Sequence, residues 1–250
     1  MIKQGRESLS RSFRHIIYTT NSRLLFFLVV LLSTTAAMAM TATPKPRILC
    51  LHGRCQSGSI LRNKIAGARR KLEKSYDLTF LDGPLRLEDG EAEEEPQFAW
   101  FERTEDHSQH LYVREALEYV IDHCQSQNER PYDALLGFSQ GGVVATALCL
   151  TGKLPTIQAV VTAGAPMNEQ AFLEAKAIAQ NDESVINRGL EIPKFHLAGV
   201  TDAMVSVEST QQLCEADGSG ILIQHEKGHL FPTKALYTNQ MMEFLQQHVK

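Results

Sequence analysis

The stretch that decides the fold is Tyr132-Asp-Ala-Leu-Leu-Gly-Phe-Ser-Gln-Gly-Gly-Val-Val-Ala-Thr-Ala-Leu-Cys-Leu150. Its apolar residues 134–136 predict a buried parallel strand, and its Ala- and Val-rich second half predicts a buried helix. Between them, Gly137-Phe-Ser-Gln-Gly141 fits the pattern G-x-S-x-G, which requires this strand-turn-helix context. So tight a turn strains the backbone of Ser139 and exposes its hydroxyl. It also aims the N–H of Gln140 at the same point, where the helix dipole favours developing negative charge.

Strands and helices alternate along the chain from residue 47 to residue 250. This alternation predicts one α/β domain of three layers with a mainly parallel central sheet. The expected strands are 47–51, 78–81, 134–136, 159–162, 194–199 and 220–225, and the expected helices are 59–74, 111–127, 142–150, 169–179, 205–214 and 235–249.

Residues 1–46 are predicted to be a targeting segment and leader outside this domain. Five Lys and Arg residues and one Glu precede an apolar run of nine residues, 24–32, and Ala37-Met-Ala39 fits a cleavage site after residue 39. The run is too short to span a bilayer, so no membrane span is expected in the mature chain. The layout suits a secretory signal or an organelle transit peptide. Translation from Met40 would instead leave a cytoplasmic enzyme.

Charge and cysteine usage exclude several classes of function. The net charge of the whole chain is −4, and removing the first 39 residues takes it to −8. An acidic body argues against nucleic acid as a partner. The five cysteines contain no C-x-x-C pair and resemble neither a disulfide framework nor a zinc site. The acidic run at 88–95 is predicted to be a solvated loop.

A nucleophilic serine needs a base and a group that orients the base. In α/β-hydrolases these follow in the order Ser, acid, His, each just past a strand. Asp202 comes shortly after the predicted strand 194–199, and His229 comes four residues after the strand 220–225. We therefore predict Ser139 as nucleophile, His229 as base and Asp202 as the group that orients the imidazole.

The second donor to an oxyanion is predicted on the loop that follows the first strand. A strand that runs into His52-Gly53 is typical of the loop that supplies this donor, and the backbone N–H of Arg54 is the expected group. Trp100 and Phe101 lie on a long connection after a strand, where they could wall a substrate pocket or simply pack in the core.

A competing pattern is His225-Glu-Lys-Gly-His229, which matches H-E-x-x-H of zinc peptidases. That pattern requires a helix, so that the two histidines share one face. Here a β-like apolar run precedes it, Gly228 lies inside it and Pro232 follows closely, and these features disfavour a helix. No metal site is predicted.

From about residue 47 onward the chain resembles the eukaryotic serine hydrolase family that includes the ovarian cancer-associated protein 2 esterase. The segments that carry the resemblance are Ile48-Leu-Cys-Leu-His-Gly53, Leu78-Thr-Phe-Leu-Asp-Gly-Pro84, Ala99-Trp-Phe101, Leu135-Leu-Gly-Phe-Ser-Gln-Gly-Gly142, Gly199-Val-Thr-Asp202 and Gly228-His229. The resemblance implies a compact α/β-hydrolase fold without a large cap domain. It implies the same triad, action on small-molecule acyl esters or thioesters, and no metal or organic cofactor.

One departure from that family is Arg54-Cys55, where relatives often carry apolar residues. A basic, thiol-bearing loop suits a substrate with a carboxylate or phosphate, and it makes Cys55 a further candidate for the pocket. Two alternatives stay open. One is an enzyme of the acyl-protein thioesterase and carboxylesterase group, which shares Gly-Phe-Ser-Gln-Gly-Gly. The other is a binding protein on a hydrolase scaffold that does not turn over substrate.

Overall fold

A computed structural model describes residues 44–87, 95–106, 108–126, 130–218 and 220–250. The predicted targeting segment, apart from residues 44–46, and the acidic run, apart from Glu95, lie outside the described residues. Residues 45–250 form one unit by their internal contacts. No described helix has the length and apolar character needed to cross a membrane.

The central sheet has six strands, and all its pairings are parallel. The strands are β1 (Arg47–Leu51), β2 (Asp77–Leu81), β7 (Ala134–Phe138), β8 (Ala159–Ala163), β9 (Lys194–Gly199) and β10 (Gly220–His225). Their spatial order is β10-β9-β8-β7-β1-β2. The predicted fold class, with its mainly parallel sheet, is confirmed.

Helices cover both faces of this sheet. They are α1 (Gly58–Lys64), α2 (Ala66–Leu72), α3 (Val113–Ser126), α4 (Gln140–Leu150), α5 (Glu169–Ile178), α6 (Glu183–Glu191), α7 (Val207–Ala216) and α8 (Ala235–His248). Alternate residues of one strand serve two hydrophobic cores, as the period of two in a strand requires. In β1, Leu49 and Leu51 pack with the side of α3 and α4, whereas Ile48 and Cys50 pack with the side of α1, α2 and α8.

Several elements differ from the sequence prediction. The helix expected at 59–74 is divided at Ile65, whose backbone (φ −94°, ψ 19°) leaves the helical region. Helix α6 was not predicted, although Asp182 caps it by accepting from the N–H groups of Ser184 and Val185. Two small antiparallel pairs lie in the connection after β2. They are β3 (Leu85–Leu87) with β4 (Gln97–Ala99), and β5 (Glu102–Arg103) with β6 (His110–Leu111).

A buried lysine joins three elements at the start of β9. The Lys194 side chain has no exposed surface, and burial lowers its pKa. Its Nζ shares its three hydrogens among four nearby backbone oxygens, those of Gly189 (3.1 Å), Leu190 (3.3 Å), Ile192 (2.8 Å) and Asp217 (3.1 Å). The ammonium therefore satisfies carbonyls at the C-terminal ends of α6 and α7, where the helix dipole also favours a cation.

We expect Lys194→Met to destabilise the fold by about 3 kcal/mol, because it removes the Nζ donor from the buried carbonyls of Gly189 and Asp217. Urea unfolding followed by circular dichroism measures the change. Lys153→Met, at an exposed position, is the matched control and should change the unfolding free energy little. Equal stabilities for the two variants would contradict this role of Lys194.

Candidate active site

Ser139 occupies the turn between β7 and α4 in a strained conformation. Its backbone has φ 52° and ψ −119°, outside the regions that L-residues ordinarily adopt. Its N–H donates to the carbonyl of Ala163 on β8 at 2.9 Å, which ties the turn to the neighbouring strand. A Cβ on Gly141 would lie 2.2 Å from the carbonyl oxygen of Leu51, so only glycine allows the start of α4 to approach β1 this closely.

Three side chains from distant parts of the chain form one hydrogen-bonded line. His229 Nε2 lies 3.1 Å from Ser139 Oγ, and His229 Nδ1 lies 2.7 Å from Asp202 Oδ2. The other oxygen of Asp202 accepts from the N–H groups of Met204 (2.8 Å) and Val205 (2.9 Å). The carboxylate can only accept, so the imidazole carries its proton on Nδ1 and presents a free lone pair on Nε2 to the serine.

Gly164 makes room for this line. Its backbone has φ +57°, and a Cβ there would lie 3.0 Å from His229 Cε1 and 3.1 Å from His229 Nδ1. A side chain at this position would therefore displace the imidazole. Sequence reasoning missed this residue because Gly164 shows no motif of its own. The available signal was a glycine directly after the strand next to the serine.

The loop after β1 is held against the serine by a second histidine. His52 is fully buried. Its Nδ1–H donates to the carbonyl of Gly53 at 2.7 Å, and its Nε2 accepts from the N–H of Gly83 at 2.8 Å. Burial lowers the pKa of His52, which suits an imidazole whose Nε2 must stay an acceptor. A Cβ on Gly53 would lie 3.2 Å from Ser139 Cβ, so the backbone that leads into Arg54 passes directly beside the nucleophile candidate.

The side chain of Gln140 fixes the aromatic segment that the sequence flagged as a pocket wall. Gln140 Nε2 donates to the carbonyl of Phe101 at 2.8 Å, and Gln140 Oε1 accepts from the N–H of Trp100 at 3.2 Å. The Trp100 indole in turn donates to the carbonyl of His52 at 2.7 Å. Sequence reasoning used only the backbone of Gln140. Its side chain links the serine turn to the segment of Trp100 and Phe101, and the Trp100 indole joins that segment to the loop after β1.

A cavity of about 770 Å³ opens in front of the serine. Of the predicted pocket residues, Phe101 lines it, whereas Trp100 is fully buried in the core and Cys55 lies on the exposed surface beside Arg54. Trp100 points inward because its N–H has a backbone acceptor there. The cavity is lined by Arg54, Phe101, Glu102, Arg103, His110, Ser139, Gln140, Val143, Pro166, Met167, Asn168, Asp202, Ala203, Met204, Val205, Ser206, Ser209 and His229.

The H-E-x-x-H pattern does not lie on a helix. His225 is the last residue of β10, and residues 226–230 form an irregular segment. The imidazole of His225 packs edge-on to the ring of Tyr237, while His229 faces Ser139. Among the described residues, no group of three or more His, Cys, Asp and Glu side chains is placed to hold a metal ion.

A parallel sheet that carries a strained serine at a strand-to-helix turn, with a histidine and an acid past later strands, defines the α/β-hydrolase class. Comparison with known proteins agrees. A sequence model described as serine hydrolase (FSH1) matches residues 40–241, and the chain belongs to this family of serine hydrolases.

Individual relatives fit this assignment. Esterase OVCA2 of Bos taurus is 28% identical over 237 residues, which cover 83% of this chain and 99% of the relative. Esterase CG5412 of Drosophila melanogaster is 26% identical over 234 residues, which cover 87% of this chain and 80% of the relative. The solved structure of Zea mays acyl-protein thioesterase 2 shares the fold, with a TM-score of 0.61 and 16% identity over 82% of this chain and 94% of that one.

We expect Gln140→Glu to lower stability by about 1–3 kcal/mol, because a carboxylate cannot donate to the carbonyl of Phe101 and leaves that acceptor unpaired. Trp100 is the only tryptophan, so its fluorescence during urea unfolding reports on the segment that Gln140 holds. Gln212→Glu, at an exposed position on α7, makes the same charge change and should be nearly neutral. Equal unfolding midpoints for the two variants would contradict the role assigned to the Gln140 side chain.

Proposed function

We propose that this serine hydrolase cleaves carboxylic esters or thioesters of acyl chains through an acyl-Ser139 intermediate. The observation that carries the proposal is the hydrogen-bonded line from Asp202 through His229 to Ser139, with distances of 2.7 and 3.1 Å. These distances lie within the reach that proton transfer between a nucleophile and its base requires. The relatives that bear the name esterase support the same reaction class.

In the first half of the reaction, Ser139 Oγ attacks the acyl carbon while its proton passes to His229 Nε2. The imidazolium that forms keeps its Nδ1–H on Asp202, whose charge stabilises it. Collapse of the tetrahedral intermediate breaks the bond to the leaving group, and His229 gives its proton to the departing alkoxide or thiolate. In the second half, a water attacks the acyl carbon while His229 Nε2 takes its proton. The bond from the acyl carbon to Ser139 Oγ then breaks, His229 returns the proton to Oγ, and the acid is released.

The backbone N–H groups of Gln140 and Arg54 are the proposed donors to the oxyanion. Two features of the site support this. Gln140 is the first residue of α4, so its N–H belongs to the positive end of a helix. Arg54 follows Gly53, whose backbone passes beside Ser139, and it lines the same cavity. The loss of one such donor typically lowers turnover by about 10² to 10³.

A fluorophosphonate probe tests the nucleophile. We expect it to label the native protein at Ser139, and we expect Ser139→Ala to abolish both labelling and hydrolysis of p-nitrophenyl esters and acyl-CoA thioesters of graded chain length. Ser206→Ala, at another cavity serine, is the control and should still be labelled. Labelling that persists in Ser139→Ala would refute the assignment.

Asp202→Asn tests the role of the acid. The Asn oxygen can still accept from the N–H groups of Met204 and Val205, which would turn its NH₂ group toward His229 Nδ1. The imidazole would then carry its proton on Nε2 and could not accept one from Ser139. We expect kcat to fall by about 10³ to 10⁴ while the fold persists. Steady-state kinetics and urea unfolding measure the two effects, and a variant with near-native kcat would contradict the role of Asp202.

A further inference from the structure

The cavity in front of Ser139 is lined by cationic groups that have no carboxylate partner among the described residues, although the chain is acidic overall. Two guanidinium groups line it, from Arg54 on the loop after β1 and from Arg103 on β5. Among the ion pairs between described residues, neither arginine has a carboxylate partner. Arg54 Nη1 donates only to Cys55 Sγ, at 3.2 Å, within the described part of the chain.

Arg103 is oriented by a histidine on the paired strand. Arg103 Nε donates to His110 Nε2 at 3.0 Å, directly across the β5–β6 pair. His110 must accept this bond, and both its partial burial and the nearby Arg103 charge lower its pKa, so the imidazole stays neutral. The backbone N–H of His110 donates to Gln170 Oε1 on α5 at 3.0 Å, and the imidazole ring of His110 packs edge-on to the ring of Phe101. The Nε contact orients the guanidinium, and no hydrogen bond or ion pair between described residues uses its two terminal nitrogens.

Two carboxylates line the same cavity and must be weighed against the arginines. Both oxygens of Asp202 already accept hydrogen bonds, from His229 and from the N–H groups of Met204 and Val205, so neither oxygen pairs with either cavity arginine. Glu102, half-buried beside Arg103, is the remaining negative group and offsets one of the two cations.

The rest of the wall is largely apolar and also carries the polar side chains of Asn168, Ser206 and Ser209. Apolar side chains come from α4, from the segment after β8 and from the segment after β9, and they suit a hydrocarbon chain. They are Val143, Pro166, Met167, Ala203, Met204 and Val205. The arginines lie on the loop after β1 and on the β5–β6 pair. A substrate that contacts both the apolar side chains and the arginines is amphiphilic. Its carboxylate or phosphate would be bound by the planar guanidinium of Arg103.

We propose that the substrates of this enzyme are acyl esters or thioesters that carry an anionic group, bound by Arg103 with Arg54 beside it, while the hydrocarbon part lies on the apolar wall. This inference rests on the proposed function and adds the substrate class. The anion can belong to the acyl group, as in a half-ester of a dicarboxylic acid, or to the leaving group, as in a phosphorylated thiol. The recognition chemistry is the same in both cases.

The experiment compares matched substrate pairs on the full chain. One arm uses p-nitrophenyl esters of ω-carboxyacyl and methyl-terminated chains of equal length. The other uses butyryl thioesters of phosphopantetheine and of pantetheine. The readout is the ratio of kcat/KM for the anionic substrate to kcat/KM for its neutral partner. This ratio is unaffected by any fraction of misfolded enzyme, because that fraction lowers both values equally.

We expect Arg103→Gln to lower this ratio about tenfold in the arm that carries the natural anion. A tenfold change is the lower end of what a hydrogen bond to a charged group usually contributes. Arg103→Lys keeps the charge but loses the planar fork, so it should give an intermediate ratio. Glu102→Gln should raise the ratio, because it removes the opposing charge. Arg70→Gln, at an exposed position on α2 outside the cavity, is the matched control and should leave the ratio unchanged.

Ionic strength gives an independent readout. Added salt should lower the ratio of the native enzyme more than that of Arg103→Gln, since screening weakens exposed charge interactions. Equal ratios for Arg103→Gln and Arg70→Gln in both arms, with neutral esters still hydrolysed, would overturn the anionic substrate class and leave the esterase proposal standing. A native enzyme that hydrolyses no ester or thioester would overturn both.

Discussion

The backbone of Ser139 is the constraint on which the rest of the site depends. A residue at φ 52° and ψ −119° is strained by about 1–3 kcal/mol, and it persists only where its surroundings hold it. Here β8 holds it through the bond from Ser139 N–H to Ala163, and β1 holds it through the close approach of Gly141 to Leu51. The core of the sheet therefore stabilises a turn that presents one hydroxyl to His229 and begins a helix beneath it.

Two histidines show how hydrogen-bond partners decide what an imidazole is free to do. His52 and His229 both carry a proton on Nδ1, because each Nδ1 faces an oxygen that can only accept. They differ at Nε2. In His52 this nitrogen accepts from the N–H of Gly83, so its lone pair is used and the residue holds a loop. In His229 it faces the hydroxyl of Ser139, whose proton it can take. The partner of the second nitrogen thus decides the chemistry available to each ring.

The sequence predicted those features of the structure that a short run of neighbouring residues determines. The six core strands follow from apolar runs that end in turn residues, and the G-x-S-x-G segment predicted the strand-turn-helix unit. Other features depend on contacts between distant segments and leave no local pattern. Nothing in the sequence around Lys194 indicates that its charge is buried, where four carbonyls converge on it. For Trp100 the sequence left pocket wall and core packing open, and the indole N–H finds its acceptor in the core.

A crystal structure of the enzyme with an aliphatic boronic acid tests the central claim most directly, because the tetrahedral adduct mimics the intermediate. We expect a bond from boron to Ser139 Oγ. One boronate oxygen should lie within roughly 3 Å of the N–H groups of both Gln140 and Arg54, and a second oxygen should lie near His229 Nε2. An adduct on another residue, or one whose oxygens avoid both N–H groups, would contradict the account.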